Sequence, residues 1–123
     1  MMRKEIRPRS VPQPVAEYAQ GVEVTGGRTL YIAGQVPLDA SGNLVGEGDF
    51  RAQARQVLRA RIQHKIHIVK MTTFLTDMAH YDDFKAVRSE FLKAPFPAAT
   101  LVAVSSLVRP EWLLEVEAIA VIE

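Results

Sequence analysis

The sequence predicts an α+β fold in which two helices cover one face of a six-stranded mixed sheet. Apolar residues alternate along Trp112–Ile122, as they do in a strand with one face in a core. Two segments, Asp49–Ile62 and Tyr81–Leu92, instead repeat apolar residues at helical spacing. Strand-like runs precede, separate and follow these helices. The predicted order is therefore three strands, a helix, a strand, a helix and two strands.

The other five strands are predicted from short apolar or β-branched runs bounded by turn residues. These runs are Lys4–Arg9, Val22–Val24, Thr29–Gln35, Ile66–Thr76 and Ala98–Ser105. Gly26-Gly27 separates the second run from the third and predicts a hairpin turn between them. Asp39–Gly48 contains three glycines and is predicted to be a surface loop.

Each predicted helix has one apolar face and recognisable ends. Asp49 is placed to cap the first helix, and Pro95 and Pro97 follow the second. Phe50, Ala54, Val57, Leu58 and Ile62 form the apolar face of the first helix, and Phe84, Val87 and Phe91 that of the second. Both helices are therefore expected to pack on the same sheet.

The face of the last strand that the helices leave uncovered is also largely apolar. Its residues are Leu113, Glu115, Glu117, Ile119 and Val121. Two helices cover only one face of such a sheet, so burying the other face requires a partner. Identical copies in a closed ring meet this need, and the sequence therefore predicts a homo-oligomer. The two carboxylates on this face would then line a cleft between chains.

Composition limits the classes of function. The 123 residues suit a single domain, residues 1–123, and 48% of them are hydrophobic. A formal charge of +1 gives no electrostatic case for nucleic acid or an anionic membrane as a partner. No stretch approaches a membrane span, and the opening segment lacks the apolar run of a secretory signal. The cytoplasm is the expected compartment.

Most motifs for cofactor or nucleophile chemistry are missing. Cysteine is absent, which excludes thiolate chemistry and cysteine metal sites. His64, His67 and His80 do not have the spacing of a metal site, and no glycine pattern fits a phosphate loop. The histidines are therefore expected to be exposed or interfacial. Tyr18 and Glu117 remain as candidates, although either fits a purely structural role, as a core tyrosine or an interface carboxylate.

Five segments resemble the Rid family, also called the YjgF family, of reactive-intermediate deaminases. They are EYAQGVEV (Glu17–Val24), LYIAGQVPLD (Leu30–Asp39), ARQVL (Ala54–Leu58), VKMTTFLTDM (Val69–Met78) and LEVEAIAV (Leu114–Val121). The resemblance implies a chorismate-mutase-like fold, a homotrimer around a central barrel and three clefts between subunits. It also implies cofactor-free hydrolysis of imines and enamines to a carbonyl compound and ammonia.

The resemblance assigns roles to four residues. Tyr18 matches the cleft tyrosine and Glu117 the glutamate that positions the attacking water, which makes both catalytic candidates. Gly34 matches the glycine whose backbone lies against the ligand, and Leu101 stands where a backbone amide near the ligand is expected. The connection Arg59–His67 is shorter than in the family and lacks its glycine-containing turn.

Ala99 is the main departure, because deaminases of the family have an arginine there that pairs with the substrate carboxylate. Losing such a buried, charge-assisted contact costs about 1.5–3 kcal/mol of binding. Arg88 and Arg109 could return a cation to the cleft, but the sequence favours surface positions for both.

Two functions follow from these residues. The first is hydrolysis of an imine or enamine, on a substrate that is neutral, cyclic or otherwise unlike 2-aminoacrylate. The second is a non-catalytic trimer that binds a small metabolite for sensing or transport. Ribonuclease activity, attached to some members of the family, ranks last because of the balanced charge.

Overall fold

The computed structural model describes residues 1–59 and 66–123, which contain six strands and two α-helices. The strands are β1 (Met2–Ile6), β2 (Gly21–Thr25), β3 (Arg28–Gln35), β4 (Ile66–Leu75), β5 (Ala98–Ala103) and β6 (Leu114–Ile122), and the helices are α1 (Phe50–Arg59) and α2 (Tyr81–Phe91). This order confirms the predicted one. The predicted end of the first helix at Ile62 and most of the connection Arg59–His67 lie outside the described residues.

The six strands form two sheets, not the one continuous sheet that the sequence predicted. β1 and β2 make an antiparallel pair, whereas the other strands form a four-stranded sheet in the order β3-β6-β4-β5. β6 is antiparallel to both of its neighbours, and β4 runs parallel to β5. The larger sheet is therefore mixed, as expected. α2 connects its two parallel strands, β4 and β5.

The predicted Gly26-Gly27 hairpin is wrong, because these residues join strands of two different sheets. β2 pairs with β1, and β3 pairs with β6. Both glycines have positive φ angles, 77° and 78°. A side chain on Gly27 would begin 2.5 Å from Cγ1 of Val121, so the turn passes directly over β6. Glycine is therefore needed here for its backbone angle and for its small size.

The hydrophobic core lies between the two helices and one face of the larger sheet. Residues at alternate positions of β6 are buried on this face: Leu114, Val116, Ala118 and Ala120. The helices contribute most of the apolar residues predicted from their spacing, with Ala54, Phe84 and Val87 fully buried and Phe91 partly buried, while Ile62 lies outside the described residues. None of the helices in the described part of the chain has the length and apolarity needed to cross a membrane.

Asp49 caps α1 as predicted. Its carboxylate accepts a hydrogen bond of 3.1 Å from the backbone N–H of Ala52, one of the donors that a helix start leaves unpaired. We expect Asp49→Ala to lower the free energy of unfolding by about 1 kcal/mol in urea titrations. Asp49→Asn keeps an acceptor and should cost less than half as much. Equal losses in both variants would show that the cap is not the cause.

Neither of the two described helices covers the opposite face of the larger sheet. Tyr31 on β3 is 77% exposed and Val102 on β5 is 40% exposed. Glu117 is also exposed, while Glu115 and Ile119 are half-buried. The single chain thus leaves this mixed apolar and acidic face open, as the pattern of β6 indicated. We call it the open face.

Candidate functional site

A cleft of about 460 Å³ lies between α2, the edge strand β5 and the segment that precedes β2. Its lining residues are Val15, Tyr18, Gln20, Met78, Tyr81, Arg88, Ala99 and Leu101. We call it the tyrosine cleft. Three of the residues singled out from the sequence, Tyr18, Ala99 and Leu101, are therefore brought together here.

Backbone pairing explains how the tyrosine cleft is built. Ala19 donates a hydrogen bond of 2.8 Å to the carbonyl oxygen of Pro97, which holds Tyr18 beside the start of β5. Ala99 and Leu101 pair with buried residues of β4, Met71 and Thr73. Since neighbouring residues of paired strands point the same way, Ala99 and Leu101 face the helix side of the sheet.

α2 supplies the other wall of the cleft. Tyr81 and Arg88 are seven residues apart, two helical turns, and therefore lie on one face of the helix. Phe84 lies between them, and its ring is 5.5 Å from Cζ of Arg88. The expectation that Arg88 is a surface arginine is wrong, because only 5% of it is exposed. Arg109 is exposed, as expected.

Glu117 lines a different cleft, on the open face. This second cleft has a volume of about 470 Å³. Its lining residues are Tyr31, Ile32, Ala33, Lys70, Thr72, Glu117, Ala118 and Ile119. Lys70 does not pair with Glu117, because its Nζ donates to Oγ1 of Thr100 at 2.8 Å. We call this the glutamate cleft.

The two clefts lie on opposite faces of one sheet. Glu117 pairs with Thr72 on β4, whereas Ala99 pairs with the preceding residue, Met71, whose side chain points to the core. Side chains of successive strand residues alternate between faces. The predicted site residues of one chain are therefore divided: Tyr18, Ala99 and Leu101 line one cleft, and Glu117 lines the other.

Gly34 lies beside the glutamate cleft, at a break in the register between β3 and β6. A Cβ placed on Gly34 would overlap the carboxylate of Glu115, so glycine is required for Glu115 to keep its place. Within the described residues, Glu115 forms no ion pair.

This close approach predicts an interaction energy between Gly34 and Glu115. We expect Gly34→Ala to lower the free energy of unfolding by about 1–3 kcal/mol, because the new methyl group displaces the carboxylate. In the Glu115→Ala background the same change should cost much less. Urea unfolding of the four proteins in a double-mutant cycle measures the difference. Additive effects would show that the two residues do not compete for this space.

Sequence reasoning missed the contribution of Tyr81 and the burial of Arg88. Arg88 was considered as a replacement cation, yet a charged residue is seldom buried, so a surface position was favoured. The available signal was the helical spacing that places Tyr81, Phe84 and Arg88 on one side of α2. Phe84 faces the core, and the residue four positions later, Arg88, lies on the same side of the helix, so Arg88 also faces the core.

Comparison with known proteins gives a consistent result. The family profile described as "Endoribonuclease L-PSP" matches residues 8–122. A RutC family protein of Sulfurisphaera tokodaii is 36% identical over 115 residues, covering 88% of this chain and 90% of its own. A 2-iminobutanoate/2-iminopropanoate deaminase of Dermatophagoides farinae is 32% identical over 119 residues, covering 91% of both chains.

Solved structures give the same picture. The crystal structure of YyfB from Yersinia pestis, a protein of the conserved Rid family, superposes with a TM-score of 0.83 at 32% identity. The superposition covers 99% of this chain and 100% of that one. The α+β architecture predicted from the sequence is therefore also that of this solved structure.

Proposed function

The chain belongs to the endoribonuclease L-PSP family and to the Rid proteins within it, and from this premise we propose that it hydrolyses an imine or enamine in clefts between the subunits of a homotrimer. The observation that carries the proposal is the division of the site. Glu117 and the tyrosine cleft lie on opposite faces of one sheet, so the face of one chain must meet the edge of another to complete a site.

The open face supports assembly into a ring. It exposes Tyr31 and Val102 while the helices cover the other side of the same sheet. Packing of equivalent faces around an axis would bury this apolar surface. In such a ring the edge strand β5 of one subunit, with the tyrosine cleft beside it, would lie next to the glutamate cleft of its neighbour. Each trimer would then hold three complete sites.

The proposed reaction needs only water. Glu117 accepts a proton from a water molecule as the water oxygen attacks the carbon of the protonated imine, and a neutral carbinolamine forms. The carboxylic acid then returns this proton to the amine nitrogen. As the carbon–nitrogen bond breaks, the nitrogen keeps the electron pair and leaves as ammonia, while the Glu117 carboxylate takes the proton of the hydroxyl group, which becomes the carbonyl, and passes it to solvent. An enamine enters the same route after protonation of its carbon to the imine. Tyr18 and the backbone of Gly34 and Leu101 would hold the substrate in place.

Ala99 supports a second candidate, a trimer that binds a small metabolite without turnover. A methyl group stands where family deaminases carry an arginine, and it lines the tyrosine cleft directly. If this change ended catalysis, the clefts would remain as binding sites. The two candidates share the assembly and differ only in whether Glu117 activates water.

The test is an assay of imine hydrolysis with the purified protein. An amino acid oxidase generates 2-iminopropionate in situ, and its loss is followed against buffer and against Glu117→Gln. We expect acceleration by the wild type and none beyond buffer by the variant. No acceleration by the wild type or by Ala99→Arg, with imines that carry a carboxylate or an amide, would contradict the proposal and favour the binding trimer.

A further inference from the structure

Arg88 is a buried cation that lines the tyrosine cleft, and its guanidinium lies over the ring of Phe84 but has no hydrogen-bond or ion-pair partner among the described residues. Its Nε atom is shielded from solvent and has no hydrogen-bond partner. Burial lowers the pKa of Arg88 from its ordinary value, although an arginine stays charged in proteins. A buried charge of this kind is costly unless something pairs with it.

The nearby charged groups do not pair with Arg88. Among the described residues, Glu17 is the only carboxylate that acts on it electrostatically, but this carboxylate accepts a hydrogen bond from the hydroxyl group of Ser89. Lys85 lies over the ring of Tyr81 at 4.6 Å and pairs with Asp82 at 3.4 Å. The hydrogen-bonding capacity of the guanidinium is therefore left for a molecule that enters the cleft.

The rest of the lining limits what that molecule is. Of the described residues that line the tyrosine cleft, Arg88 alone is charged, so the lining balances a single negative charge. Tyr18, Tyr81 and Gln20 offer neutral polar groups, while Ala99 and Leu101 offer apolar contact. A phosphate dianion would need further cations. A carboxylate matches the planar fork of one guanidinium and carries one charge.

We propose that Arg88 binds the carboxylate of the ligand, so that the site takes small organic acids with one carboxylate although residue 99 is alanine. The inference rests on the proposed function in that it concerns the same cleft. Of the alternatives drawn from Ala99, a neutral, a cyclic or another ligand unlike 2-aminoacrylate, it rules out the neutral one. Arg88 approaches from α2, whereas residue 99 lies on β5, so the carboxylate would be held from the helix side.

The test compares two ligands of the same shape, propionate and propionamide, by calorimetric titration of the full-length protein. We expect the wild type to bind propionate about ten- to hundredfold more tightly than propionamide. Arg88→Met should lose this preference, and Arg88→Lys, which keeps the charge but not the fork, should retain part of it. Arg109→Gln is the control, because it removes an exposed arginine of the same charge and should leave the preference intact.

Stability and assembly separate a ligand-binding role from a structural one. A buried cation without a hydrogen-bond or ion-pair partner destabilises the free protein, so Arg88→Met should melt at the same temperature as the wild type or higher, with an unchanged oligomeric state. Loss of the assembly in Arg88→Met would overturn the inference in favour of a subunit contact. So would equal binding of propionate and propionamide by the wild type, or tighter binding of inorganic phosphate than of propionate.

Binding and turnover are measured independently, so the two proposals can fail separately. Carboxylate binding through Arg88 without any imine hydrolysis would contradict the proposed function and support this inference. Equal kcat/KM values for the imines of pyruvate and pyruvamide would support the function and overturn the inference.

Discussion

Replacing Glu117 by Gln is expected to lower kcat for imine hydrolysis by about a hundredfold or more, with little change in KM. The amide has nearly the shape of the carboxylate but cannot take a proton from water. Glu117 would act on the attacking water, and substrate binding would depend on the tyrosine cleft of the neighbouring subunit. Steady-state kinetics with an imine generated in situ measure both parameters.

Glu23→Gln is the matched control, since Glu23 is an exposed glutamate of strand β2, outside both clefts. Its kcat should equal that of the wild type. If Glu117→Gln also kept the wild-type kcat, the carboxylate would be a structural group on the open face. A rise in KM at constant kcat would mean that Glu117 binds substrate and does not take part in the chemistry.

Subunit mixing tests whether Glu117 acts across the interface. Ala99→Phe fills the tyrosine cleft, whereas Glu117→Gln leaves that cleft intact. Each variant alone should be inactive, but trimers reassembled from an equal mixture should regain about one quarter of wild-type activity, because one site in four combines two unmodified halves. Assemblies made only of a chain that carries both substitutions contain no unmodified half and should stay inactive. Inactivity of the mixture would place the whole site within one chain and contradict the shared cleft.

The elements were predictable because each carries its own periodicity. The alternation in β6 and the helical spacing in α1 and α2 report local geometry and burial, which neighbouring residues decide. The pairing of β1, β2 and β3 depends on contacts between distant segments, and no local pattern shows it. Gly26-Gly27 has the angles of a tight turn in either arrangement, so only the pairing of β2 with β1 and of β3 with β6 shows which sheet each strand enters.

The arrangement of the candidate residues was predictable in part. The alternation along β6 predicted that the face carrying Glu117 is left open by the helices, and the resemblance pointed to Tyr18 and Leu101, which line one cleft. The burial of Arg88 was not predicted, because burying a cation opposes the hydrophobic effect and no sequence rule favours it. Its position becomes visible only when α2 is packed against β5, so that Arg88 and Ala99 share one cleft.

The burial of Gln53 in the core, like that of Arg88, was not predicted from the sequence. Replacing Gln53 is expected to have the largest effect on stability. Gln53 is fully buried on the inward face of α1. Its Nε2 donates to the carbonyl oxygens of Gly46 at 3.1 Å and Glu111 at 3.0 Å, and its Oε1 accepts from the N–H of Leu113 at 2.9 Å. The side chain thus joins α1 to the loop before it and to the segment that leads into β6.

We expect Gln53→Met to lower the free energy of unfolding by about 3–5 kcal/mol, because three partly buried backbone groups lose their partners while the volume stays similar. Gln56→Met is the control on the same helix, since Gln56 makes one such bond, to Leu38, and should cost about 1 kcal/mol. Urea unfolding at one fixed protein concentration measures both variants, as subunit association also affects stability. Equal losses would mean that the volume of the side chain, not its three hydrogen bonds, makes Gln53 important. The Gln53 variants also concern the candidate site, because Gln53 is hydrogen-bonded to the segment that leads directly into β6, the strand that carries Glu117.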